Sequence, residues 1–515
     1  MASRKSLGLA RSRRLGPTVV SWDILIDENE LAQVLPPAYA SFARPVKDSL
    51  VVFLSGLPAI AQEQILAEQA ALPAAATVSE RLGRLALSCP VLHKLGQVLA
   101  RDQRLAPELR HELRRLESLP PTVELDTIRA ILAEELGPLE SLGIMLLPPA
   151  IAEASVAVVI PFRDARDPTA PEGVFKVLKP GIVERMELEL ELLGKVGSYL
   201  DSRCEELSIP HLDYRETFEH VRAKLCVEVL LDQEQQHLAE AKAFFADEPD
   251  VHIPTVLAYC TPRVTAMERI FGDKVTDHPL DSIRAKHNLA KLVTRALIAQ
   301  PMFSATHRAM FHSDPHAGNL LYTHDGRLAI LDWSLVGHLG EAERIAMGQI
   351  VLAAITLRSE RIVAILEQLD ERRSVDRAAL ENVVECWLRR IRHGQLPGLT
   401  WLVGLLDEAT QTARLRVGAD MMLFRKSLHT LEGVIGELGA EDFSIENSLL
   451  AEFARHFGCE WPERWFTTPN SRRFATRLSN ADLVETLLAT PLAAARFWQA
   501  ELLDLIRTGQ ARAKC

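Results

Sequence analysis

A β-hairpin signal lies in the C-terminal half of a chain whose pattern there is otherwise helical. It falls within residues 311–333, FHSDPHAGNLLYTHDGRLAILDW. Asp325 and Gly326 form a strong turn signal between two strand-like segments, NLLYT and RLAILD. A hairpin that turns there leaves Asn319 and Asp332 about equally far from the turn. We therefore expect these two side chains to lie next to each other.

Asp314 lies on the loop that enters this hairpin, ahead of Asn319. Because Pro315 and Gly318 allow the loop to turn sharply, two carboxylates and an amide oxygen are expected to meet at one end of a short sheet. Magnesium prefers such hard oxygen ligands together with the phosphate oxygens of a substrate. Kinases place a catalytic-loop Asp, an Asn and a further Asp in this order. A solvated turn capped by Asp and Asn fits each residue alone, but the combined spacing favours phosphoryl transfer.

Two histidines flank this aspartate. His312 and His316 give the order His-x-Asp-x-His, which can hold a transition metal. A histidine two residues before a catalytic Asp more often holds the loop through hydrogen bonds to the backbone. We therefore favour a structural role for His312 over metal ligation.

A kinase also needs a lysine on an upstream strand, to meet the α- and β-phosphates, and a helical acid to hold that lysine. The strand-like segment GVFKVLKP supplies Lys176 between Phe175 and Val177. For the acid, the helical segment CVEVLLDQEQQHLAEAK offers Glu228 and Glu234. Periodicity alone does not choose between these two.

Composition narrows the class of protein. A chain of 515 residues predicts two to four domains, and a formal charge of -11 argues against a general nucleic-acid binder. Seven cysteines without a C-x-x-C pair suggest reduced thiols in a cytosol-like compartment. The longest apolar run, Ser49 to Ala61, is interrupted by Gly56 and Pro58, and we predict no transmembrane helix. The basic start, MASRKSLGLARSRR, is interpreted as a disordered end rather than a transit peptide.

The pattern along the chain predicts an α+β fold. The two strands of a hairpin are predicted in the segments SVAVVIPF and GVFKVLKP. Two more strands are predicted in HIPTVLAYCTPRVTAMERI. Apolar residues recur with helical spacing from about residue 78 to residue 136. We divide the chain into an N-terminal segment of uncertain structure (1–77), a helical region (78–147), a β-rich lobe with inserted helices (148–272), a helical lobe (273–400) and a C-terminal helical extension (401–515).

Two motifs together resemble the AarF/UbiB family of atypical kinases. FHSDPHAGNLL is similar to that family's F-H-x-D-P-H-x-G-N-L signature, and HKLGQ is similar to its K-x-G-Q motif. The resemblance runs from about Ser79 to about Phe457. It implies a protein-kinase-like, two-lobed fold, with a small β-rich N-lobe and a helical C-lobe, an added N-terminal K-x-G-Q region and C-terminal helices.

The resemblance also implies roles for individual residues, with ATP and Mg²⁺ as cofactors. Lys176 corresponds to the strand lysine, and Glu234 to its salt-bridge partner. Lys94 and Gln97 of the K-x-G-Q segment would reach into the active site, exclude a protein substrate and place Lys94 near Asp332 and Glu228. The remaining positions are the catalytic Asp314, the metal ligands Asn319 and Asp332, the adenine-binding hinge Met267 and Glu268, and the phosphate-loop residues Ala154 and Ser155.

The sequence departs from the family pattern at three places. AIAEASVAVVIPF lacks the glycine of the family's alanine-rich phosphate loop. The family's Glu-x-Asp motif becomes Glu228-Val229-Leu230, which removes one acid. The Asp-Phe-Gly segment of kinases becomes Asp332-Trp333-Ser334, which keeps the metal ligand and changes the packing after it.

These features predict an atypical kinase or ATPase that binds MgATP and acts on a small or lipid-like acceptor in quinone or isoprenoid lipid metabolism. A pseudokinase scaffold that organises partner enzymes is a second hypothesis, and a small-molecule kinase of the aminoglycoside-phosphotransferase type is a third. We expect nucleotide as a ligand and no nucleic acid. A lipid or quinone-precursor ligand, protein partners and peripheral contact with a membrane stay open, and the expected compartment is cytoplasmic.

Overall fold

The computed structural model describes residues 22, 26–100, 104–117, 122–167, 169–371, 374–440 and 442–512. The basic N-terminal stretch lies outside these residues. The chain forms two compact units. Unit 1 contains residues 1–162 and 175–229, and unit 2 contains residues 163–174 and 230–515.

Unit 1 is mainly helical, and its helices precede and follow a small sheet. Helix α4 begins with a capping box, in which Thr77 Oγ1 accepts from the N–H of Glu80 (3.2 Å) and the Glu80 carboxylate accepts from the N–H of Thr77 (2.7 Å). The helices of unit 1 are α1 (Glu28–Val34), α2 (Ala43–Ser55), α3 (Ala59–Ala70), α4 (Val78–Ser88), α5 (Pro90–Leu99), α6 (Pro107–Arg114), α7 (Leu125–Leu136), α8 (Ile182–Ser202) and α9 (Tyr214–Cys226).

Helices α1, α2 and α3 occupy a segment in which the sequence showed no clear period. Helix α3, with the sequence AIAQEQILAEQA, is rich in alanine and glutamine, so its buried and exposed faces differ little in polarity. Helix α2 carries Pro45 in its first turn, where a missing N–H costs no hydrogen bond. Helix α3 therefore lacks the amphipathic pattern from which a helix is predicted.

The sheet of unit 1 confirms the predicted pairing of SVAVVIPF with GVFKVLKP. It includes strands β1 (Ile144–Leu146), β2 (Ala152–Glu153), β3 (Ala157–Asp164) and β4 (Gly173–Leu178), with β3 between β1 and β4. Strand β2 folds back onto β3 in antiparallel register, with Ala152 opposite Val159. Every residue of β4 is buried.

Unit 2 combines a helical body with short strands. A π-helical segment, Arg295–Ala299, joins α11 to α12. The helices are α10 (Leu231–Phe244), α11 (Ile283–Thr294), α12 (Gln300–Met302), α13 (Glu341–Ile355), α14 (Ser359–Leu369), α15 (Arg377–Arg392), α16 (Leu399–Thr412), α17 (Ala419–Glu437), α18 (Ile445–Arg464) and α19 (Asn480–Arg512). The strands are β5 (Val251–His252), β6 (Val264–Glu268), β7 (Gly272–Lys274), β8 (Arg308–His312), β9 (Leu320–Thr323), β10 (Leu328–Ile330) and β11 (Val336–Gly340).

The predicted hairpin is confirmed by strands β9 and β10. They pair in antiparallel register with Leu320 opposite Ile330, and the turn contains Gly326 at a φ of +82°. Positive φ is accessible to glycine without a steric penalty, which explains the turn signal. Strands β5 and β7 complete this sheet in the order β5-β10-β9-β7, while β8 and β11 form a separate antiparallel pair.

The hydrophobic core of unit 2 fixes both strand pairs to the helices. Leu328 and Ile330 from β10 and Phe311 from β8 are buried among side chains of α13 to α17. Gly337 on β11 lies opposite Phe311, and a Cβ atom at position 337 would collide with the Phe311 ring. Among the described residues, the helices do not include a segment long and apolar enough to cross a membrane.

Candidate active site

The hairpin of unit 2 brings the predicted catalytic and metal-binding positions together. The Leu331 N–H donates to the Asn319 carbonyl (2.8 Å), which extends the ladder by one residue and places Asn319 beside the chain that leads into Asp332. The Asn319 side chain turns back to the loop, where its Nδ2 donates to the Asp314 carbonyl (3.2 Å). The hairpin register therefore determines how the loop of Asp314, the Asn319 amide and Asp332 lie relative to one another.

Asp332 occupies a backbone conformation that few non-glycine residues adopt. Its φ is +52°, in the left-handed region, which costs on the order of 1 kcal/mol. Its Oδ1 accepts from the N–H of Ser334 (3.2 Å), and its carbonyl accepts from His312 Nε2 (3.0 Å). These bonds hold Asp332 in a strained orientation, as is common where a side chain has to be aimed at a ligand.

His312 is the structural centre of the loop, as the sequence predicted. Its Nδ1 accepts from the N–H of Asp314 (3.2 Å), so the proton is on Nε2, which donates to the carbonyls of Leu331 and Asp332 (3.0 Å each). Burial lowers the pKa of His312, which keeps the ring neutral. Because both ring nitrogens are used, His312 does not serve as a metal ligand.

His316 also works within the loop, since its Nδ1 accepts from the N–H of Gly318 (3.1 Å). Within the described part of the chain, no group of three or more His, Cys, Asp or Glu side chains is arranged to hold a metal. A magnesium site built from two acids and an amide differs from such a group, because it relies on phosphate oxygens for the remaining ligands.

Trp333 replaces the phenylalanine of the kinase motif and is fully buried. Its ring packs edge-to-face on His312 with centroids 4.9 Å apart and lies 6.1 Å from the Phe245 ring. Its Nε1 donates to the Ile330 carbonyl (3.1 Å), and its own carbonyl accepts from His237 Nδ1 (2.9 Å). The residue after Asp332 is thus anchored in the core.

A lysine that sequence reasoning missed contacts Asp314, the predicted catalytic residue. Lys426 on α17 places Nζ 3.2 Å from Asp314 Oδ1. The neighbouring Ser427 donates to the His312 carbonyl (2.8 Å). No local signal points to Lys426, because α17 is 112 residues further along the chain.

The predicted hinge residues lie on strand β6 of unit 2. The N–H of Glu268 donates to the Thr255 carbonyl (2.9 Å), and the Glu268 carboxylate accepts from His252 Nε2 and Thr255 Oγ1 (3.0 Å each). Met267 forms a β-bridge with Val256. An adenine contact through the backbone of Glu268 would therefore use its carbonyl rather than its N–H.

The predicted lysine and acid are both buried, one in each unit. Lys176 in the middle of β4 is 8% exposed, and Glu234 in the first turn of α10 is 1% exposed. Buried charges of this kind need a partner of opposite sign. Their pairing with each other stays a prediction.

The predicted phosphate loop of unit 1 is a tight turn between β2 and β3. The N–H of Ala154 donates to the Ala157 carbonyl (2.8 Å), which closes the turn around Ser155. Ser155 is buried, and among the described residues its Oγ has no hydrogen-bond partner. A phosphate contact of this buried hydroxyl stays a prediction.

Glu153 anchors this loop, and sequence reasoning missed it. Its carboxylate accepts from the N–H and Oγ1 of Thr122 and lies 2.6 Å from Lys179 Nζ. Burial opposes ionisation of Glu153, but Lys179 and the Thr122 N–H outweigh it and hold the pKa of the carboxyl below its ordinary value. The acid in the middle of the sequence AEAS therefore fixes the turn to two other segments of unit 1.

The K-x-G-Q helix is α5 of unit 1. Lys94 Nζ lies 2.7 Å from Glu228 Oε2, the pairing that the sequence analysis expected for these two residues. Gln97 Nε2 donates to the Leu116 carbonyl (2.9 Å), so its amide is used within the helical region. A Cβ at Gly96 would lie 2.8 Å from Leu116 Cδ1, which shows the close approach that glycine permits there. Proximity of Lys94 to Asp332, and the nucleotide roles of Lys94 and Gln97, stay predictions.

His93 on the same helix is expected to make the stability of unit 1 depend on pH. Its Nε2 lies 2.9 Å from the Leu116 carbonyl, and burial lowers the pKa of His93 from 6.5 to about 4. Below pH 6.5 this histidine takes up a proton in the unfolded chain but not in the folded chain. The contribution of neutral His93 to the free energy of unfolding is therefore present above pH 6.5 and is lost as the pH falls towards 4.

We expect acidification from pH 7.5 to 5 to cost the wild type about 2 kcal/mol through His93 alone. His93→Gln keeps a side-chain N–H for Leu116 but does not titrate. Urea unfolding at both pH values should show a smaller loss of stability in His93→Gln than in the wild type. Equal losses in the two proteins would contradict the assignment.

Comparison with known proteins supports the kinase-like interpretation. Residues 115–366 match the model of the ABC1 atypical kinase-like domain. A chloroplastic, uncharacterized aarF domain-containing protein kinase of Arabidopsis thaliana is 30% identical over 66% of this chain and 62% of its own length. A probable protein kinase UbiB of Tolumonas auensis is 27% identical over 67% of this chain and 64% of its own length. The aligned region thus spans less than two thirds of each of these relatives.

A solved structure also aligns with this chain. It is the complex of Rv3197 with erythromycin from Mycobacterium tuberculosis, with a TM-score of 0.46 and 16% sequence identity. The alignment covers 73% of this chain and 87% of that chain.

The matched domain contains the hairpin of unit 2 with Asp314, Asn319 and Asp332, as well as the predicted pair Lys176 and Glu234. The fold is α+β and protein-kinase-like, with helices before and after the matched domain. The domain match, the relatives and the two motifs together therefore show that residues 115–366 match an ABC1 atypical kinase-like domain, and they support the resemblance to the AarF/UbiB family of atypical kinases.

Proposed function

We propose that this protein binds MgATP and transfers the γ-phosphoryl group to water or to a small, lipid-like acceptor. The observation that carries the proposal is the hairpin register. It sets Asn319 beside the residue before Asp332 and ties the Asn319 amide to the loop of Asp314. The buried His312 also bonds the backbone of both Asp314 and Asp332. A solvated turn that is merely capped by Asp and Asn does not require such a histidine.

The donor set suits magnesium. Asn319 uses its Nδ2 within the loop, so its Oδ1 is the atom that can bind a cation, and Asp332 adds a carboxylate. Magnesium, when bound, neutralises phosphate charge during phosphoryl transfer. The set lacks a thiol, and His312 is already engaged through both nitrogens, so the site does not favour a transition metal.

Each remaining residue has a role in the proposed transfer. Asp314 accepts the proton of the attacking hydroxyl or water as its oxygen forms a bond to the γ-phosphorus. The bond from that phosphorus to the bridging oxygen breaks, and ADP leaves with the electron pair. Lys176, held by Glu234, would contact the α- and β-phosphates. Ala154 and Ser155 would meet the phosphates, Met267 and Glu268 the adenine, and Lys94 and Gln97 the entrance for the acceptor.

We also propose a setting for this activity. Similarity to the AarF/UbiB family favours quinone or isoprenoid lipid metabolism, with a lipid or quinone-precursor ligand, protein partners and peripheral contact with a membrane. The six cysteines in the described part of the chain are free thiols, which supports a reducing, cytoplasm-like compartment.

The test is MgATP binding and turnover by the purified chain. A ligand that binds only the folded state stabilises it by about 2.7 kcal/mol at one hundred times its Kd, so thermal denaturation should shift upwards in millimolar MgATP. Phosphate release should then be measured with and without lipid vesicles or quinone-precursor analogues. A chain that shows no thermal shift in millimolar MgATP would disprove nucleotide binding.

A pseudokinase scaffold is the second candidate. Two observations favour it: the Asp314 carboxylate contacts Lys426, and the residue after Asp332 is anchored in the core through Trp333. The same experiment separates the two candidates. MgATP-dependent stabilisation without turnover under any acceptor condition would support the scaffold, and turnover would exclude it.

A further inference from the structure

The contact between Lys426 and Asp314 brings a cation from outside the catalytic loop to the predicted catalytic base. Nζ of Lys426 lies 3.2 Å from Asp314 Oδ1, within hydrogen-bond distance. The two side chains are 40% and 30% exposed. The pair is therefore partly exposed.

Helix α17 is docked on the loop by buried contacts on either side of this lysine. Phe424 packs edge-to-face on Phe311, with ring centroids 5.2 Å apart. Ser427, which is 3% exposed, donates to the His312 carbonyl (2.8 Å). These contacts fix both the rotation of α17 and its position along its axis. The packing of the helix therefore places Lys426 next to Asp314.

The catalytic loop has no cation of its own. Between Asp314 and Asn319 the sequence is Pro-His-Ala-Gly, and the one titratable side chain there, His316, bonds the Gly318 N–H. An aspartate that has to accept a proton beside a triphosphate needs its carboxylate oriented and its charge balanced. In this chain Lys426 of α17 brings a positive charge to that carboxylate.

We propose that Lys426 is a positioning residue that holds the Asp314 carboxylate through Oδ1 in the orientation in which Asp314 accepts the proton of the acceptor hydroxyl. This inference rests on the proposed function. In the transfer step the hydroxyl proton passes to Asp314, the hydroxyl oxygen bonds to the γ-phosphorus, and ADP leaves. Lys426 takes no part in the proton transfer and acts through Asp314.

The test compares Lys426→Ala, Lys426→Arg and the matched control Lys291→Ala in the full chain. Lys291 is an exposed lysine on α11 of the same unit. We expect Lys426→Ala to lower kcat for ATP turnover by about tenfold or more while the KM for MgATP changes less than about twofold. Arginine keeps the charge and the donor, so Lys426→Arg should recover most of the rate, and Lys291→Ala should match the wild type.

A double-variant cycle separates positioning from general stability. If Lys426 acts through Asp314, adding Lys426→Ala to Asp314→Asn should lower kcat no further. An unchanged kcat in Lys426→Ala would overturn the proposal, as would an equal loss in Lys426→Ala and Lys426→Arg. If the wild type binds MgATP without turnover, the proposed kinase function is wrong, and the positioning role of Lys426 is wrong with it. If the wild type is active and Lys426→Ala is equally active, only the positioning role of Lys426 is wrong.

Discussion

Asp332→Asn is expected to lower ATP turnover by at least about a hundredfold and to remove the magnesium-dependent part of the MgATP thermal shift. The change replaces an anionic oxygen ligand with a neutral one, and magnesium gives up its hydration water reluctantly to neutral ligands. Asparagine is, with aspartate, the non-glycine residue that best tolerates the left-handed region, so the backbone at φ +52° should be retained. Its Oδ1 can still accept from the Ser334 N–H.

The measurement is thermal denaturation with ATP, at matched ionic strength, in Mg²⁺ and in EDTA, together with phosphate release. Asp247→Asn is a matched control, since Asp247 is an exposed aspartate of the same unit. The control should keep the magnesium-dependent shift. A full shift and normal turnover in Asp332→Asn would show that Asp332 does not hold the metal.

Trp333→Ala is expected to destabilise unit 2 by about 3 to 5 kcal/mol, the usual cost of removing a fully buried large aromatic side chain. The substitution removes the packing on His312 and Phe245 and leaves the Ile330 carbonyl without the indole N–H. Trp333→Phe should cost less, about 1 to 3 kcal/mol, because it keeps an aromatic ring but not the donor.

Urea unfolding followed by far-ultraviolet circular dichroism measures this loss of stability. Trp498→Ala provides the control, since Trp498 is 71% exposed and its replacement should change the free energy of unfolding by less than about 0.5 kcal/mol. Similar free energies of unfolding for Trp333→Ala and Trp498→Ala would contradict the buried anchoring role.

The parts of the site that sequence reasoning found are those set by local chain geometry. Asp325-Gly326 fixes the turn, and the period of two along each strand then fixes the register that brings Asn319 and Asp332 together. The structural role of His312 follows from its position directly before the loop. These features depend on residues within a short segment, so spacing alone was enough to predict them.

The parts that sequence reasoning missed depend on distant segments. Lys426 reaches Asp314 only because α17 packs on β8 through Phe424, and no pattern near either residue records that packing. Glu153 was missed for the same reason, since its partners Thr122 and Lys179 lie on two separate segments. Tertiary packing, and not local preference, decides these contacts.

The path of the chain through the two units has a consequence for biosynthesis. Residues 163–174 belong to unit 2, but residues 175–229 of unit 1 are translated before unit 2 resumes at Leu230. On the ribosome this short segment therefore emerges well ahead of the residues with which it completes its fold, at translation speeds of about 5 to 20 residues per second. A fragment that ends at residue 229 contains residues 163–174 without the rest of unit 2, and a fragment that begins at residue 230 lacks these residues. Neither unit can therefore be expressed in full as one uninterrupted stretch of the gene.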